Sequence, residues 1–340
     1  MKRLLRWAGL GLVLAFGGLL AALWTPDIPH EELVARYANT ASRFLPLPSG
    51  AVAHYRDQGN PDGPVLVLLH GSNLSLHTWE PWVAELGKRL RVITVDLPGH
   101  GLTGPTPEGD YTYTGMTKFL REFVQAIEIK HFILGGNSMG GGVTLNYALT
   151  WPDDLSGLVL VDAAGLDLPF DPHSAADLPL AFRLAGKWYA NWALTRITPR
   201  AIVREGLLKS FTIGQLVDDT MVQRYWELAR HPGNREATGK RFAWYRDGRR
   251  PLPIEKIQLP TLILWGERDR LIPLAVGEQM HARIAGSEFE VLPGIGHIPQ
   301  EETPRVSAAV VGAFVRRLTE APVPVSPPAA DAAPASAQPL

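Results

Sequence analysis

The chain has 340 residues, 46% of them hydrophobic, with 33 basic and 34 acidic side chains and no cysteine. That is enough apolar material for a large core. A net charge of −1 offers no electrostatic case for nucleic-acid binding, and the missing cysteines exclude disulfides and thiolate chemistry.

At the N-terminus, Lys2, Arg3 and Arg6 precede an uncharged apolar run from Trp7 to Trp24. At 1.5 Å per residue a helix over that run spans about 27 Å, close to the hydrocarbon thickness of a bilayer. Leu23-Trp24-Thr25-Pro26 is a poor cleavage site for a signal peptidase, and Trp24 suits an interfacial anchor. Residues 1–24 are therefore expected to form a single-pass inner-membrane anchor, with secretion after signal cleavage as the alternative. In both cases the basic residues stay cytoplasmic and the body lies on the periplasmic side. Residues 25–48 are expected to be a linker.

Beyond the linker, short apolar strands alternate with longer amphipathic stretches. Strands are predicted at Val52–Tyr55, Val65–Leu69, Val92–Val95, Phe132–Gly135, Leu158–Val161, Thr261–Trp265 and Glu288–Leu292. Helices are predicted near Tyr113–Ile127, Met139–Leu149, Ala275–Ile284 and Pro304–Leu318. This alternation implies an α/β fold: a mainly parallel sheet with helices on both faces, whose ligands bind at the carboxyl ends of the strands. The alternation breaks over residues 165–251, which read as helical. Eleven of the 29 aromatic residues fall there, as do 14 basic side chains against 9 acidic ones. Most of these aromatics are expected to form the segment's own core, and some to line an apolar pocket. Residues 321–340, rich in Ala and Pro, cannot bury a core and are expected to be disordered.

The chemistry gathers at strand ends. Gly136-Asn137-Ser138-Met139-Gly140 joins a predicted strand to a predicted helix. That turn forces the serine into a strained conformation in which side chains at positions minus two and plus two would collide. The helix N-terminus favours negative charge nearby. A serine nucleophile needs a general base, and the base needs an orienting acid. Asp269 follows the strand Thr261–Trp265, with Glu267 two residues away as the competing carboxylate. His297, in Pro293-Gly294-Ile295-Gly296-His297, follows the strand that ends at Leu292. His70, His77 and His100 read as loop-organising residues, and His100 is also the strongest rival of His297. An oxyanion needs backbone donors. The N–H groups of Met139 and of Ser72, in the loop after Val65–Leu69, are placed to supply them, with Asn73 as the neighbouring alternative. No zinc-ligand spacing and no glycine-rich phosphate loop occurs, so neither a metal nor another cofactor is expected.

His70-Gly71, Asp96-Leu97-Pro98-Gly99-His100-Gly101, the serine pentapeptide, Trp265-Gly266-Glu267-Arg268-Asp269 and Gly296-His297 together resemble the α/β-hydrolase superfamily over roughly Val52–Thr319. The resemblance implies a core in two parts, 49–164 and 252–320, with 165–251 inserted as a helical cap. It also implies a Ser138–His297–Asp269 triad. The elbow and Leu145-Asn146-Tyr147-Ala148-Leu149 resemble both meta-cleavage-product hydrolases, which cut carbon–carbon bonds, and family V bacterial lipases and esterases. The chain departs from the first group in carrying Ile298 where a tryptophan usually follows the histidine. It also has Ser72-Asn73-Leu74-Ser75 in place of a glycine-proline-rich oxyanion loop. The expected function is hydrolysis of carboxylic esters with apolar acyl groups. Carbon–carbon hydrolysis of meta-cleavage-type dienoates is the alternative. The expected partners are a small ester or lipid substrate and the membrane.

Overall fold

The computed structural model describes residues 23–166, 179–184, 195–247 and 250–320, together with Trp7, Gly18 and Trp192. Eight strands form one sheet: β1 (Ser42–Pro46), β2 (Val52–Gly59), β3 (Val65–Leu69), β4 (Arg91–Val95), β5 (Phe132–Asn137), β6 (Leu155–Val161), β7 (Thr261–Gly266) and β8 (Glu288–Leu292). Their spatial order is β1-β2-β4-β3-β5-β6-β7-β8. Only the β1–β2 and β2–β4 pairings are antiparallel; the rest are parallel.

The central strands β3, β5, β6 and β7 are mostly apolar because both faces are covered. Along β3, Leu66 and Leu68 point into one cluster with Trp79, Trp82 and Phe314, while Val67 and Leu69 point into another with Met116, Phe119 and Val143. β7 divides in the same way, Leu262 and Leu264 to one side and Ile263 and Trp265 to the other. Residues of α1 (Glu80–Leu86) and α2 (Pro304–Glu320) close the first face. Residues of α3 (Tyr113–Ala126), α4 (Met139–Thr150) and α5 (Leu274–Arg283) close the second. α3 starts where the Thr112 hydroxyl accepts the Gly115 N–H at 3.1 Å, a side-chain cap for an otherwise orphaned donor. β8 lies at the sheet edge and alternates accordingly, exposing Glu288, which pairs with Arg317.

One expectation requires correction. Residues 25–48 are not a plain linker: they carry a helix, His30–Tyr37, and the edge strand β1. They also bind the segment read as a cap. Thr25 N–H donates to Arg196 O, Arg235 pairs with Asp27 at 2.6 Å, and Tyr37 OH donates to Glu227. The helix α1 was also absent from the sequence reading.

Among the described residues no helix is long and apolar enough to cross a membrane. The run Trp7–Trp24 lies almost wholly outside the described residues, as does the tail 321–340. Within 165–251 the described residues form helices Leu180–Leu184, Arg200–Ser210, Asp219–Ala229 and Asn234–Asp247 and no strand. Leu207, Phe211, Val217, Val222 and Tyr225 from this segment pack with Leu74 and Ile298, so its core rests on the loop after β3 and on the residue after His297.

Candidate active site

Ser138 closes β5 with φ +54° and ψ −118°, a region costly for any residue with a side chain. The turn is held by the Ser138 N–H donating to Val161 O at 3.0 Å and by the Ser138 carbonyl accepting from Ala164 N–H at 2.9 Å. A Cβ on Gly136 would collide with the Gly140 backbone, and one on Gly140 with the Leu69 and His70 carbonyls. The glycines at minus two and plus two are therefore required sterically. A Cβ on Gly71 would approach Ser138 Cβ at 3.2 Å, which places the loop after β3 directly against the serine. Among the described residues neither the Ser72 nor the Met139 N–H donates to a backbone acceptor. Both remain available for an oxyanion.

His297 Nδ1 donates to Asp269 Oδ2 at 2.6 Å, and both residues are buried. Asp269 Oδ1 accepts the Leu271 and Ile272 N–H groups at 2.7 and 3.0 Å. The carboxylate is thus oriented on both oxygens, and the imidazole keeps Nε2 as the nitrogen able to take a proton. Glu267 is engaged elsewhere, accepting the Gly294 N–H at 2.7 Å. Asn137, one residue before the serine, donates to His297 O at 3.0 Å and to Val161 O at 3.1 Å. It ties the elbow to the histidine loop across 160 residues of chain.

His70, His77 and His100 make hydrogen bonds to groups of their own loops. His70 Nδ1 donates to Gly71 O at 2.8 Å and its Nε2 accepts the Leu97 N–H at 3.0 Å. That pattern needs the neutral ring, and burial holds the His70 pKa below its ordinary value. His100 Nδ1 donates to Pro98 O, and burial, followed by the charge of Arg241, pushes its pKa well down. His77 Nε2 faces Tyr37 O and Arg56.

A family model described as the alpha/beta hydrolase fold matches residues 64–304. The chain belongs to the α/β-hydrolase family. Monoacylglycerol lipase abhd6-B of Xenopus laevis is 30% identical over 276 residues, 78% of this chain and 79% of that one. An esterase from Thermogutta terrifontis superposes with a TM-score of 0.66 at 25% identity, over 82% of this chain and 98% of its own. A meta-cleavage product hydrolase from Pseudomonas fluorescens IP01 shares the fold, with a TM-score of 0.68 at 22% identity over 81% and 97% of the two chains.

Three further side chains stand in this α/β-hydrolase site that the sequence reading did not single out. Asp162, at the carboxyl end of β6 with φ +44°, is fully buried. Its Oδ1 accepts the Gly266 N–H at 2.9 Å, and one atom each from Asp162, Asp269 and His297 lie within 4.8 Å of one another. That spacing alone would suit a cation, but His297 and Asp269 already engage each other directly. Asn73, Ser138 and Asp162 are three of the five non-glycine residues with positive φ among the described residues. Backbone strain therefore collects around this one place.

Arg241, from the helix Asn234–Asp247, is 0% exposed. Its Nη2 donates to Ser72 Oγ at 2.9 Å and Asn73 Oδ1 at 3.1 Å, while Nε and Nη1 have no partner. No carboxylate pairs with it among the described residues, and burial lowers its pKa to about 10.

Glu302 joins the histidine loop to the segment after Arg200–Ser210. Its Oε2 accepts the Gly296 N–H at 2.8 Å, and its Oε1 accepts the Thr212 N–H and hydroxyl and the Ile213 N–H. The His297 N–H donates to Ser210 O at 2.8 Å across the same seam. A readable signal existed only for Asp162, a charge ending the apolar run Leu158–Val161. Arg241 is one of 14 basic residues in its segment, and nothing local distinguishes it.

Proposed function

We propose that this α/β-hydrolase cleaves carboxylic esters of apolar acyl groups. Ser138 is the nucleophile, His297 the general base and acid, and Asp269 the residue that orients the imidazole. Ser138 Oγ attacks the carbonyl carbon as His297 Nε2 takes its proton. The Ser72 and Met139 N–H groups stabilise the oxyanion. The proton passes to the leaving alcohol, and water then releases the acid by the same steps. One observation carries this reading: an elbow serine bound through Asn137 to the loop whose histidine rests on a buried aspartate at 2.6 Å. Supporting it are the apolar contacts of Leu74, Phe211, Val217 and Ile298 beside the site and the likeness to a monoacylglycerol lipase. We place the chain at the inner membrane through residues 1–24, with this domain on the periplasmic side.

A second reading, carbon–carbon hydrolysis of a carboxylated dienoate, is favoured by Arg241. A buried guanidinium with two unpartnered nitrogens beside the oxyanion loop is suited to an anionic substrate group. Against it stand Ile298 and the Ser72-Asn73-Leu74-Ser75 loop.

The experiment runs p-nitrophenyl esters of increasing acyl length beside a meta-cleavage dienoate, with fluorophosphonate labelling of Ser138. Each methylene buried in an apolar pocket gains about 0.8 kcal/mol, so kcat/KM should rise from acetate towards medium chains. Those esters should exceed the dienoate by at least ~100-fold, from accumulated methylene burial. If the dienoate is preferred and loses its advantage in Arg241→Met, the second reading is the function.

A further inference from the structure

The Asp269–His297 pair has a second acid behind it that ester hydrolysis by the proposed triad does not use. Asp162 sits at the end of β6, next to the Asp269 loop that follows β7. Its side chain is sealed from water, and the three acid and imidazole groups lie within 4.8 Å of one another. Oδ1 has the Gly266 N–H; Oδ2 is buried and has no hydrogen-bond donor among the described residues. The groups that face Asp162 are the Asp269 carboxyl and His297, with the Glu302 carboxyl also within electrostatic reach. An ionised Asp162 would add a further negative charge to this buried place, beside Asp269, and among the described residues no lysine or arginine meets it.

We propose that Asp162 carries a proton in the resting protein and donates it from Oδ2 to Asp269 Oδ2, so that the two carboxyls share one negative charge. The acceptor follows from counting. Each carboxylate oxygen offers about two lone-pair sites. Asp269 Oδ1 has both filled by the Leu271 and Ile272 N–H groups, while Oδ2 holds only His297 Nδ1–H. The electrostatics agree: burial, and then the charge of Asp269, push the Asp162 pKa well above the ordinary carboxyl range.

This rests on the triad reading and deepens it. With donors on both sides, Asp269 Oδ2 is fixed where it accepts His297 Nδ1–H, so the imidazole keeps its orientation during turnover. Asp162 is a positioning residue acting through Asp269.

The decisive variant is Asp162→Asn. It keeps an oxygen for the Gly266 N–H, offers an N–H in place of the O–H, and tolerates the positive φ at this position. Infrared difference spectra of the full-length protein at about pH 9, where Glu301 with its pKa near 7 is ionised, should show the C=O stretch of a protonated carboxylic acid. Asp162→Asn should abolish that band. A neutral group then replaces a neutral group, so the acid limb of kcat/KM against pH should move by less than about 0.3 unit.

If Asp162 is ionised instead, the variant removes a negative charge beside His297, and the limb moves down by about one unit or more. That movement, or the absence of the carboxylic-acid band from the native protein, overturns the proposal. The band is read without turnover. It would therefore persist if Ser138 proved not to be the nucleophile, which separates failure of the triad reading from failure of the shared proton.

Discussion

Glu302→Gln tests whether the cap seam holds the histidine loop. The carboxylate is 6% exposed and accepts from four donors: Gly296 N–H on Oε2, and Thr212 N–H, Thr212 hydroxyl and Ile213 N–H on Oε1. Glutamine can keep its oxygen at only one of these places. With the oxygen on the Thr212 side, its NH2 faces the Gly296 N–H and leaves a buried donor unpaired, at about 1–3 kcal/mol. The remaining bonds lose their charge assistance, which adds about 1 kcal/mol. The sum is about 2–4 kcal/mol. At about 2–4 °C per kcal/mol for a domain of this size, Tm falls by about 5–15 °C. Because Gly296 precedes His297, kcat should drop about tenfold with little change in KM, through loss of alignment. Calorimetry and ester kinetics on the purified variant check both. A Tm within about 2 °C of the parent, with unchanged kcat, would show that the four contacts do not constrain the loop.

Three other outcomes follow from the same geometry. Asp269→Asn should cost about 10³–10⁴-fold in kcat and Glu267→Gln under about tenfold, because only the first touches the imidazole; the reverse ranking in steady-state kinetics would reassign the acid. Burial raises the Glu301 pKa from 4.5 to about 7, although the Thr78 and Tyr225 hydroxyls oppose the shift. The folded state therefore binds this proton more tightly than the unfolded chain, and its contribution to stability is present below about pH 4.5 and lost as pH rises through about 7. Urea unfolding of Glu301→Gln should lack that decline, and an unaltered pH profile would exclude it. Deleting residues 1–24 should release soluble active enzyme from membranes, whereas a deletion that also removes Thr25–Tyr37 should destabilise it by stripping the Arg235, Arg196 and Glu227 contacts; sedimentation and thermal melts distinguish the two.

What failed in the sequence reading has identifiable causes. β1 (Ser42-Arg43-Phe44-Leu45-Pro46) has neither an apolar run nor clean alternation. It is a strand because β2 offers it a free antiparallel edge. Likewise the helix His30–Tyr37 buries only Leu33. It is held by polar contacts to residues about 200 positions away, such as His30 with His231, and no local pattern encodes those.

Sequence alone determined whatever depends on a few consecutive residues. Apolar runs long enough to be covered on both faces make parallel strands, and β3, β5 and β7 fell where those runs predicted. Glycines at 136 and 140 are demanded by the backbone around Ser138, so the elbow was legible. Asp269 and His297 stood out because each ends a strand-and-glycine pattern. Tertiary structure decided which groups meet. It brought Asn137 to His297, Glu302 to Thr212, Arg241 to Ser72, and Asp162 to the Asp269–His297 pair. The meetings of Asn137 with His297 and of Asp162 with the Asp269–His297 pair depend on the parallel order of β5, β6, β7 and β8 delivering their carboxyl ends to one edge, and the other two depend on how the inserted segment folds back over that edge. Sequence spacing carries no distance information across such crossovers, and a buried acid shows its charge state only once its neighbours are in place.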